Sequence, residues 1–153
     1  MLSIKLICVG RLKEQFYTDA ANEYIKRLSA FCKLEIIEIP EQGAQIATAL
    51  EKERVKIEAK LPDNAKVIAL CIEGREIDSD GLAELLSDFT GHGTSRLCFV
   101  IGGSNGLHES IKEAADIKLS LSRMTFPHNL ARVLLLEQLY RALSINAGGK
   151  YHK

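Results

Sequence analysis

One segment of this chain limits the possible folds more than any other: an apolar run at residues 97–101 that ends directly in a glycine-rich turn. Gly102, Gly103 and Gly106 allow the backbone of that turn to adopt positive φ angles and to approach another group closely. A later apolar run leads into a loop of hydroxyl side chains at residues 120–127. Loops that follow parallel strands lie at the edge of a sheet where ligands bind. The two loops are therefore candidates for one binding site, although the glycine turn alone is more typical of a structural strand-to-helix turn.

Apolar segments of strand length alternate with segments of helical periodicity along the whole chain. The pattern predicts strands at residues 3–9, 34–39, 66–72, 96–101 and 117–119. It predicts helices at residues 14–28, 42–61, 79–89, 109–115 and 128–146. We therefore expect one α/β domain over residues 1–153, with a mostly parallel sheet and helices on both of its faces.

Three of these segments carry more specific expectations. The nearly continuous apolar run at residues 66–72 predicts a central strand, and residues 73–76 are expected to form a third loop at the ligand edge. The alternation of charged and apolar residues at 34–39 predicts an edge strand. The helix at 128–146 is apolar on more than one side, which predicts a second packing partner and hence a homodimer. Residues 147–153 are too glycine-rich to be expected to hold themselves in place.

Composition excludes several classes of protein. No apolar run approaches the roughly 20 residues that would span a bilayer, and no signal peptide is evident, so we expect a cytoplasmic protein without a membrane anchor. The four cysteines lie in or beside apolar runs and show no metal-ligand spacing, which predicts buried thiols and no metal site.

Charge is distributed unevenly although the formal net charge is zero. From residue 118 onward, six basic residues stand against the single acid Glu137. A basic final third is typical of a local contact with a polyanion, and a solvated helix face explains the charge nearly as well.

Four motifs together carry a family resemblance: Phe-Val-Ile-Gly-Gly at 99–103, Leu-Ser-Leu-Ser-Arg-Met-Thr-Phe-Pro-His at 119–128, Leu-Glu-Gln-Leu-Tyr-Arg-Ala at 136–142, and the terminal Tyr-His-Lys. With them the chain closely resembles the bacterial ribosomal large-subunit methyltransferase H family, within the SPOUT superfamily of knotted RNA methyltransferases. The resemblance covers the whole chain in length and element order. It implies a C-terminal deep trefoil knot, a homodimer, and methylation of the N3 atom of a pseudouridine in 23S rRNA on assembled ribosomes.

The resemblance also implies that S-adenosylmethionine binds at the end of the third strand, the glycine turn and the hydroxyl loop. The implied residues are Leu70, Gly102, Gly103, Ser122, Arg123, Met124, Thr125, Phe126 and Pro127. The chain departs from the family in reading Gly-Gly-Ser-Asn-Gly at 102–106, where many relatives have Gly-Gly-Pro-Glu-Gly. That difference affects the fine contacts of the turn.

A methyl acceptor nitrogen that bears a proton needs a base or a polarising group beside it. His128, Tyr151 and His152 are the candidate catalytic residues, and a helix-start residue that bonds the backbone is an equally good reading of His128. Arg141, Lys150 and Lys153 are the candidate contacts to RNA. Lys153 stands where relatives often carry Arg, so a bidentate phosphate contact is in doubt.

Two other classes of function remain open on the sequence. A non-catalytic ribosome-binding or assembly factor could share the same fold. A nucleotide-dependent oxidoreductase is the weaker alternative, because the chain has no G-x-G-x-x-G fingerprint.

Overall fold

The computed structural model describes residues 1–43 and 45–153, in which strands and helices alternate as the sequence predicts. The strands are β1 (Leu2–Val9), β2 (Cys32–Ile39), β3 (Lys66–Glu76), β4 (Arg96–Ile101) and β5 (Ile117–Ser120). The helices are α1 (Gln15–Leu28), α2 (Ile46–Lys60), α3 (Ser79–Gly91), α4 (Glu109–Ala114) and α5 (His128–Asn146).

The five strands form one parallel sheet in the order β2-β1-β4-β3-β5. The predicted edge strand is confirmed as β2, and the continuous apolar run of β3 lies inside the sheet between β4 and β5. Successive residues of a strand face opposite sides of the sheet, so Leu6 packs against α1, α3 and α5 while Ile7 packs against α2 and α4. Helices on both faces confirm the predicted α/β architecture.

The predicted loop at residues 73–76 is wrong, because these residues belong to β3. The pairing of β3 with β5 shifts register between Leu70 and Arg75, and both of these residues pair with Leu119. Gly74 lies directly on the same backbone: a Cβ there would be 2.7 Å from the Leu119 carbonyl carbon. Pairing with β5, which begins more than forty residues after β3 ends, extends β3. A pattern in the sequence around residues 73–76 cannot predict such a distant partner.

The long C-terminal helix has the bounds that the sequence predicts. It packs on the sheet and against both α1 and α3, and no residue of α5 before Asn146 is exposed. Its second packing partner therefore comes from the same chain, so the width of its apolar surface does not itself require a second copy. The homodimer stays a prediction.

Candidate functional site

A cavity of about 820 Å³ lies at the carboxyl ends of β4 and β5 and beside the middle of β3. Its volume falls in the range of small-molecule sites. Its walls come from β3, the glycine turn, α4, the hydroxyl loop and the start of α5. The lining residues are Leu70, Cys71, Ile72, Glu73, Ile101, Gly102, Gly103, Ser104, Asn105, Gly106, Leu107, Lys112, Ser120, Leu121, Ser122, Met124, Thr125, Phe126, Pro127, His128 and Ala131.

The glycine turn forms a tight backbone wall of this cavity. Gly106, at φ +78°, donates its N–H to the carbonyl of Gly103 at 3.0 Å. A Cβ on Gly102 would collide with the carbonyl of Gly106, and one on Gly103 would lie 2.9 Å from the Glu41 Oε1 atom. The packing of the turn therefore requires glycine at these two positions.

The hydroxyl loop is held by its own serines. The Ser120 hydroxyl donates to the carbonyl of Ser122 at 2.9 Å, and the Ser122 hydroxyl accepts from the N–H of Met124 at 3.0 Å. These side-chain-to-backbone bonds fix a turn without regular secondary structure. Met124 is left 74% exposed at the rim of the cavity.

The structure brings together almost all of the residues predicted to bind the methyl donor. Eight of the nine line the cavity; Arg123 is exposed and does not. Sequence reasoning missed Cys71, Ile72 and Lys112 as part of the site. It had placed Glu73 at the ligand edge, but in a loop instead of a strand. The position of Lys112 one turn into the short α4, after the glycine turn, was the available signal.

Glu73 and Lys112 form an ion pair at the cavity wall. The Lys112 ammonium is 2.7 Å from Glu73 Oε1 and 2.9 Å from Glu109 Oε1. The hydrogen bond from Lys112 lowers the pKa of Glu73, and the same bond raises the pKa of Lys112. Both groups are therefore charged at neutral pH.

His128, the first residue of α5, lines the cavity from the other side. Its Nε2 atom lies 3.5 Å from Glu41 Oε1 and close to Gly10, where an added Cβ would be 3.2 Å from that nitrogen. An imidazole next to a carboxylate can take up a proton and have the resulting charge stabilised.

Arg132 ties this end of α5 to the sheet. Its side chain is 4% exposed, and its guanidinium donates to Glu38 at 2.6 Å and to the carbonyl of Gly10 at 2.8 Å. Gly10 adopts φ +92° immediately after β1. Arg132 lies one helical turn beyond His128 and thereby fixes where the imidazole stands.

The C-terminal residues form a second group, which we call the tail cluster: Tyr151 and His152 with Tyr140, Glu137 and Arg141. Tyr151 packs on Tyr140 with ring centres 4.7 Å apart, and its hydroxyl donates to Glu137 at 3.2 Å. His152 Nδ1 lies 3.1 Å from the Arg141 guanidinium. The tail is therefore held by side chains of α5 and not by its own glycine-rich sequence.

Burial raises the pKa of Tyr151 to about 12, with further contributions from the neighbouring Tyr24 and Glu137. At neutral pH its phenol stays protonated, so in this arrangement it can donate a hydrogen bond but cannot act as the base. Arg141, a predicted RNA contact, is engaged by Glu137 at 2.8 Å and covers the Tyr151 ring at 4.6 Å. Lys150 and Lys153 are exposed.

The three candidate catalytic residues are not brought together within one chain. Neither Tyr151 nor His152 lines the cavity. Glu137, which Tyr151 contacts, lies nine residues beyond His128 on α5, a rise of about 13 Å along the helix.

The cysteines separate into two groups. Cys8, Cys32 and Cys98 are buried, as predicted, and burial raises their thiol pKa values to about 12, about 11 and about 12. Cys71 is only half-buried and lines the cavity. Among residues 1–43 and 45–153 no three metal-ligating side chains are grouped to hold an ion.

A smaller cavity of about 310 Å³ lies at the opposite edge of the sheet, by the amino ends of β1 and β4, and is lined in part by Lys5, Lys33 and Arg96. Sheets of this kind bind ligands at their carboxyl edge, so the larger cavity is the candidate site. In the part of the chain that the structure describes, no helix has the length and apolar character needed to cross a membrane.

Comparison with known proteins gives a consistent result. Residues 2–152 match the family described as predicted SPOUT methyltransferases. The chain is 45% identical to the ribosomal RNA large subunit methyltransferase H of Clostridioides difficile, over 99% of this chain and all of that protein. It is 47% identical to the enzyme of the same name from Bifidobacterium adolescentis, with the same coverage.

Two solved structures share the fold at low sequence identity. A probable methylase family protein from Haemophilus influenzae matches 98% of this chain and 70% of its own length, with a TM-score of 0.64 and 15% identity. A probable methyltransferase from Bordetella pertussis matches 92% of this chain and 93% of its own length, with a TM-score of 0.63 and 16% identity.

Proposed function

This chain belongs to the SPOUT methyltransferase family, and from that premise we propose that it transfers a methyl group from S-adenosylmethionine to the N3 atom of a pseudouridine in 23S rRNA. The observation that carries the proposal is that the glycine turn and the hydroxyl loop line one cavity, together with residues of β3. Full-length relatives with 44–47% identity are named as large-subunit ribosomal RNA methyltransferases, which supports the class of substrate.

The residues present fit the methyl donor. An adenine ring needs a flat apolar slot with backbone donors and acceptors at its edge. Leu70 and Phe126 supply apolar surface, and Gly102, Gly103 and Gly106 supply peptide groups at the cavity wall. The cavity of about 820 Å³ is large enough for a nucleoside with an amino-acid extension.

The methyl donor supplies an activated methyl group: its C–S bond breaks with the electron pair left on sulfur, while the acceptor nitrogen forms the new C–N bond. The task left to the protein is to position the two reactants and to accept the proton that N3 loses. We assign that proton to His128, which lines the cavity and has the Glu41 carboxylate 3.5 Å from its Nε2 atom to stabilise the resulting charge.

The acceptor side of the site is proposed to include Tyr151 and His152 of a second copy. Within one chain these residues lie at the far end of α5 from the cavity, where they are held by side chains of the helix. A homodimer that places the tail of one copy at the cavity of the other would unite them with His128. Arg141, Lys150 and Lys153 would then lie beside the RNA.

The assembled ribosome is the proposed form of the substrate. Because the formal net charge of the chain is zero, tight binding to free RNA through phosphate contacts is not expected. A deep trefoil knot is proposed for the C-terminal region. It is supported by the match of residues 2–152 to the SPOUT methyltransferase family.

Calorimetric titration with S-adenosylmethionine tests the donor site. We expect saturable binding by the wild type and its loss in Gly103→Arg, whose Cβ would lie 2.9 Å from Glu41 Oε1 and 3.0 Å from the Val9 side chain and would therefore displace the glycine turn. Gly91→Arg is the matched control, because a Cβ at Gly91 meets no atom within 4 Å. Transfer of a labelled methyl group to ribosomes, followed by mass spectrometry of the modified nucleotide, then tests the acceptor. Saturable binding without transfer to ribosomes or to RNA would favour a non-catalytic ribosome-binding factor.

A further inference from the structure

We propose that Glu73 and Lys112 form a subsite for the amino-acid end of the methyl donor, with Lys112 binding its α-carboxylate and Glu73 its α-ammonium group. The inference rests on the proposed function, because it presumes a donor that carries an amino acid on a nucleoside. It assigns to the two residues a recognition role in place of a purely structural one.

The placement of charge in the cavity is the first argument. Of the described residues that line the cavity, Glu73 and Lys112 are the two with side chains that are charged at neutral pH. His128, the other titratable group with an assigned role, stands by Gly10 at the end of β1. β1 and β3 are separated by β4 in the sheet, which places the two positions about 10 Å apart across the strands. One end of the cavity therefore serves charge recognition and the other serves proton transfer.

The hydrogen-bonding capacity of the pair is the second argument. An ammonium group has three N–H donors, and Lys112 directs two of them to Glu73 and Glu109. The third can be offered to a carboxylate in the cavity. Lys112 contacts Glu73 through Oε1, and the second carboxylate oxygen of Glu73 can accept from an ammonium group. A donor and an acceptor side by side match the zwitterion of an amino acid.

Preorganisation is the third argument. The Lys112 side chain is 13% exposed, whereas those of Glu73 and Glu109 are 48% and 74% exposed. Glu109 lies one turn before Lys112 on α4 and holds the ammonium group in place. A charge that is fixed and partly withdrawn from water loses little freedom on binding and interacts more strongly.

The test compares two ligands that differ in the amino-acid end alone. S-adenosylhomocysteine carries it, and 5′-methylthioadenosine lacks it. Calorimetry would measure both dissociation constants for the wild type, Lys112→Met, Glu73→Gln and the control Glu113→Gln. Glu113 is exposed on the same helix and does not line the cavity. We expect the wild type to prefer S-adenosylhomocysteine, and Lys112→Met and Glu73→Gln to reduce that preference about tenfold, the value of a charge-assisted hydrogen bond.

The binding of 5′-methylthioadenosine is expected to stay within twofold of wild type in all three variants, about the precision of such a comparison. An unchanged preference in both Lys112→Met and Glu73→Gln would overturn the inference and leave the proposed donor site intact. An equal loss of affinity for both ligands would also overturn it, since that result describes a structural tether between α4 and β3. Failure of the wild type to bind either ligand would overturn the proposed function together with this inference.

Discussion

The two ends of α5 are built in different ways. At its first residue, His128, the helix meets a cavity whose walls are largely backbone, hydroxyl groups and apolar side chains. Further along, around Glu137 and Arg141, it carries the tail cluster, in which charged and aromatic side chains hold the chain terminus. The first end is suited to enclose a small molecule, and the second presents polar groups near the surface.

On the proposed function, one chain contributes the glycine turn, the hydroxyl loop and the part of β3 that would bind the methyl donor, and the acceptor side needs a second chain. His128 and Tyr151, which would have to act on the same nucleotide, are held apart by the length of the helix. Binding of the methyl donor should therefore be a property of one chain, whereas methyl transfer should require two.

The largest expected effect is the loss of methyl transfer in a variant that carries both Tyr151→Ala and His152→Ala. We expect the rate of transfer to fall about 100-fold or more, since a poorly positioned acceptor nucleotide alone can cost that much. The dissociation constant of the methyl donor, measured by calorimetry, should stay near the wild-type value. A comparable loss of donor affinity would mean that the two ends of α5 form one site.

Mixing the variant that carries Tyr151→Ala and His152→Ala with His128→Ala tests whether the tail of one copy serves the cavity of the other. In a mixed dimer of two-fold symmetry, one cavity keeps its histidine and receives an intact tail from the other copy. Random association should then restore about a quarter of wild-type activity. No recovery after exchange of subunits, checked by native mass spectrometry, would show that the tail serves its own chain.

The next effect is on stability at the first end of α5. Arg132→Met removes two charge-assisted bonds, to Glu38 and to the Gly10 carbonyl. We expect the free energy of unfolding to fall by about 2–3 kcal/mol, since Glu38 is partly exposed and can be hydrated after the change. Denaturant titration measures it, and Arg123→Met, at an exposed position, is the control. A loss below that of the control would show that Arg132 does not tie the helix to the sheet.

A smaller effect is expected on the rate at which Cys71, at the cavity wall, reacts with a maleimide. Cys71 is half-buried at the cavity wall, while Cys8, Cys32 and Cys98 are buried. A maleimide at pH 8 should therefore label Cys71 first, although burial raises its pKa and slows the reaction. S-adenosylhomocysteine near saturation should slow the labelling several-fold, as read by mass spectrometry. Labelling of Cys71 at an unchanged rate under saturating ligand would place the ligand elsewhere.

The smallest effect concerns the Glu73–Lys112 pair. The folded protein lowers the pKa of Glu73, chiefly through Lys112, so the pair contributes stability above the unfolded pKa and loses it as pH falls through the folded value. Because the Glu73 side chain is 48% exposed, Glu73→Gln should cost less than about 1 kcal/mol at pH 7. The difference from wild type should shrink as the pH falls from 7 through the lowered pKa of Glu73. A constant difference across that range would assign it to packing.

Local sequence patterns were sufficient to predict the strands and helices of the fold. Periodicity predicted every strand and helix, and it predicted the bounds of α5 without error, because the proline before the helix and the glycines after it are local signals. The extension of β3 could not be predicted in this way, since its partner β5 is contributed by a distant part of the chain.

The candidate site was predictable to a similar degree. Positions in the glycine turn and the hydroxyl loop follow from their own residues, and the structure gathers them in one cavity. The order of the tail was missed because Tyr151 is held by Tyr140 and Glu137, which are brought beside it by the reversal of the chain at Gly148, where φ is +75°. Lys112 was missed because the sequence does not show that Glu73 on β3 is its partner, and without that partner a lysine on a short helix is expected to be exposed to solvent.

The contact of Gly74 with the backbone of Leu119 determines how late in synthesis this part of the fold can form. The strand that supports one wall of the cavity, β5, emerges from the ribosome long after β3. A growing chain that has not reached residue 120 carries the second half of β3 without the partner that orders it. On the proposed function, the ability to hold a nucleoside would therefore be acquired late in synthesis, after about three-quarters of the chain has been made.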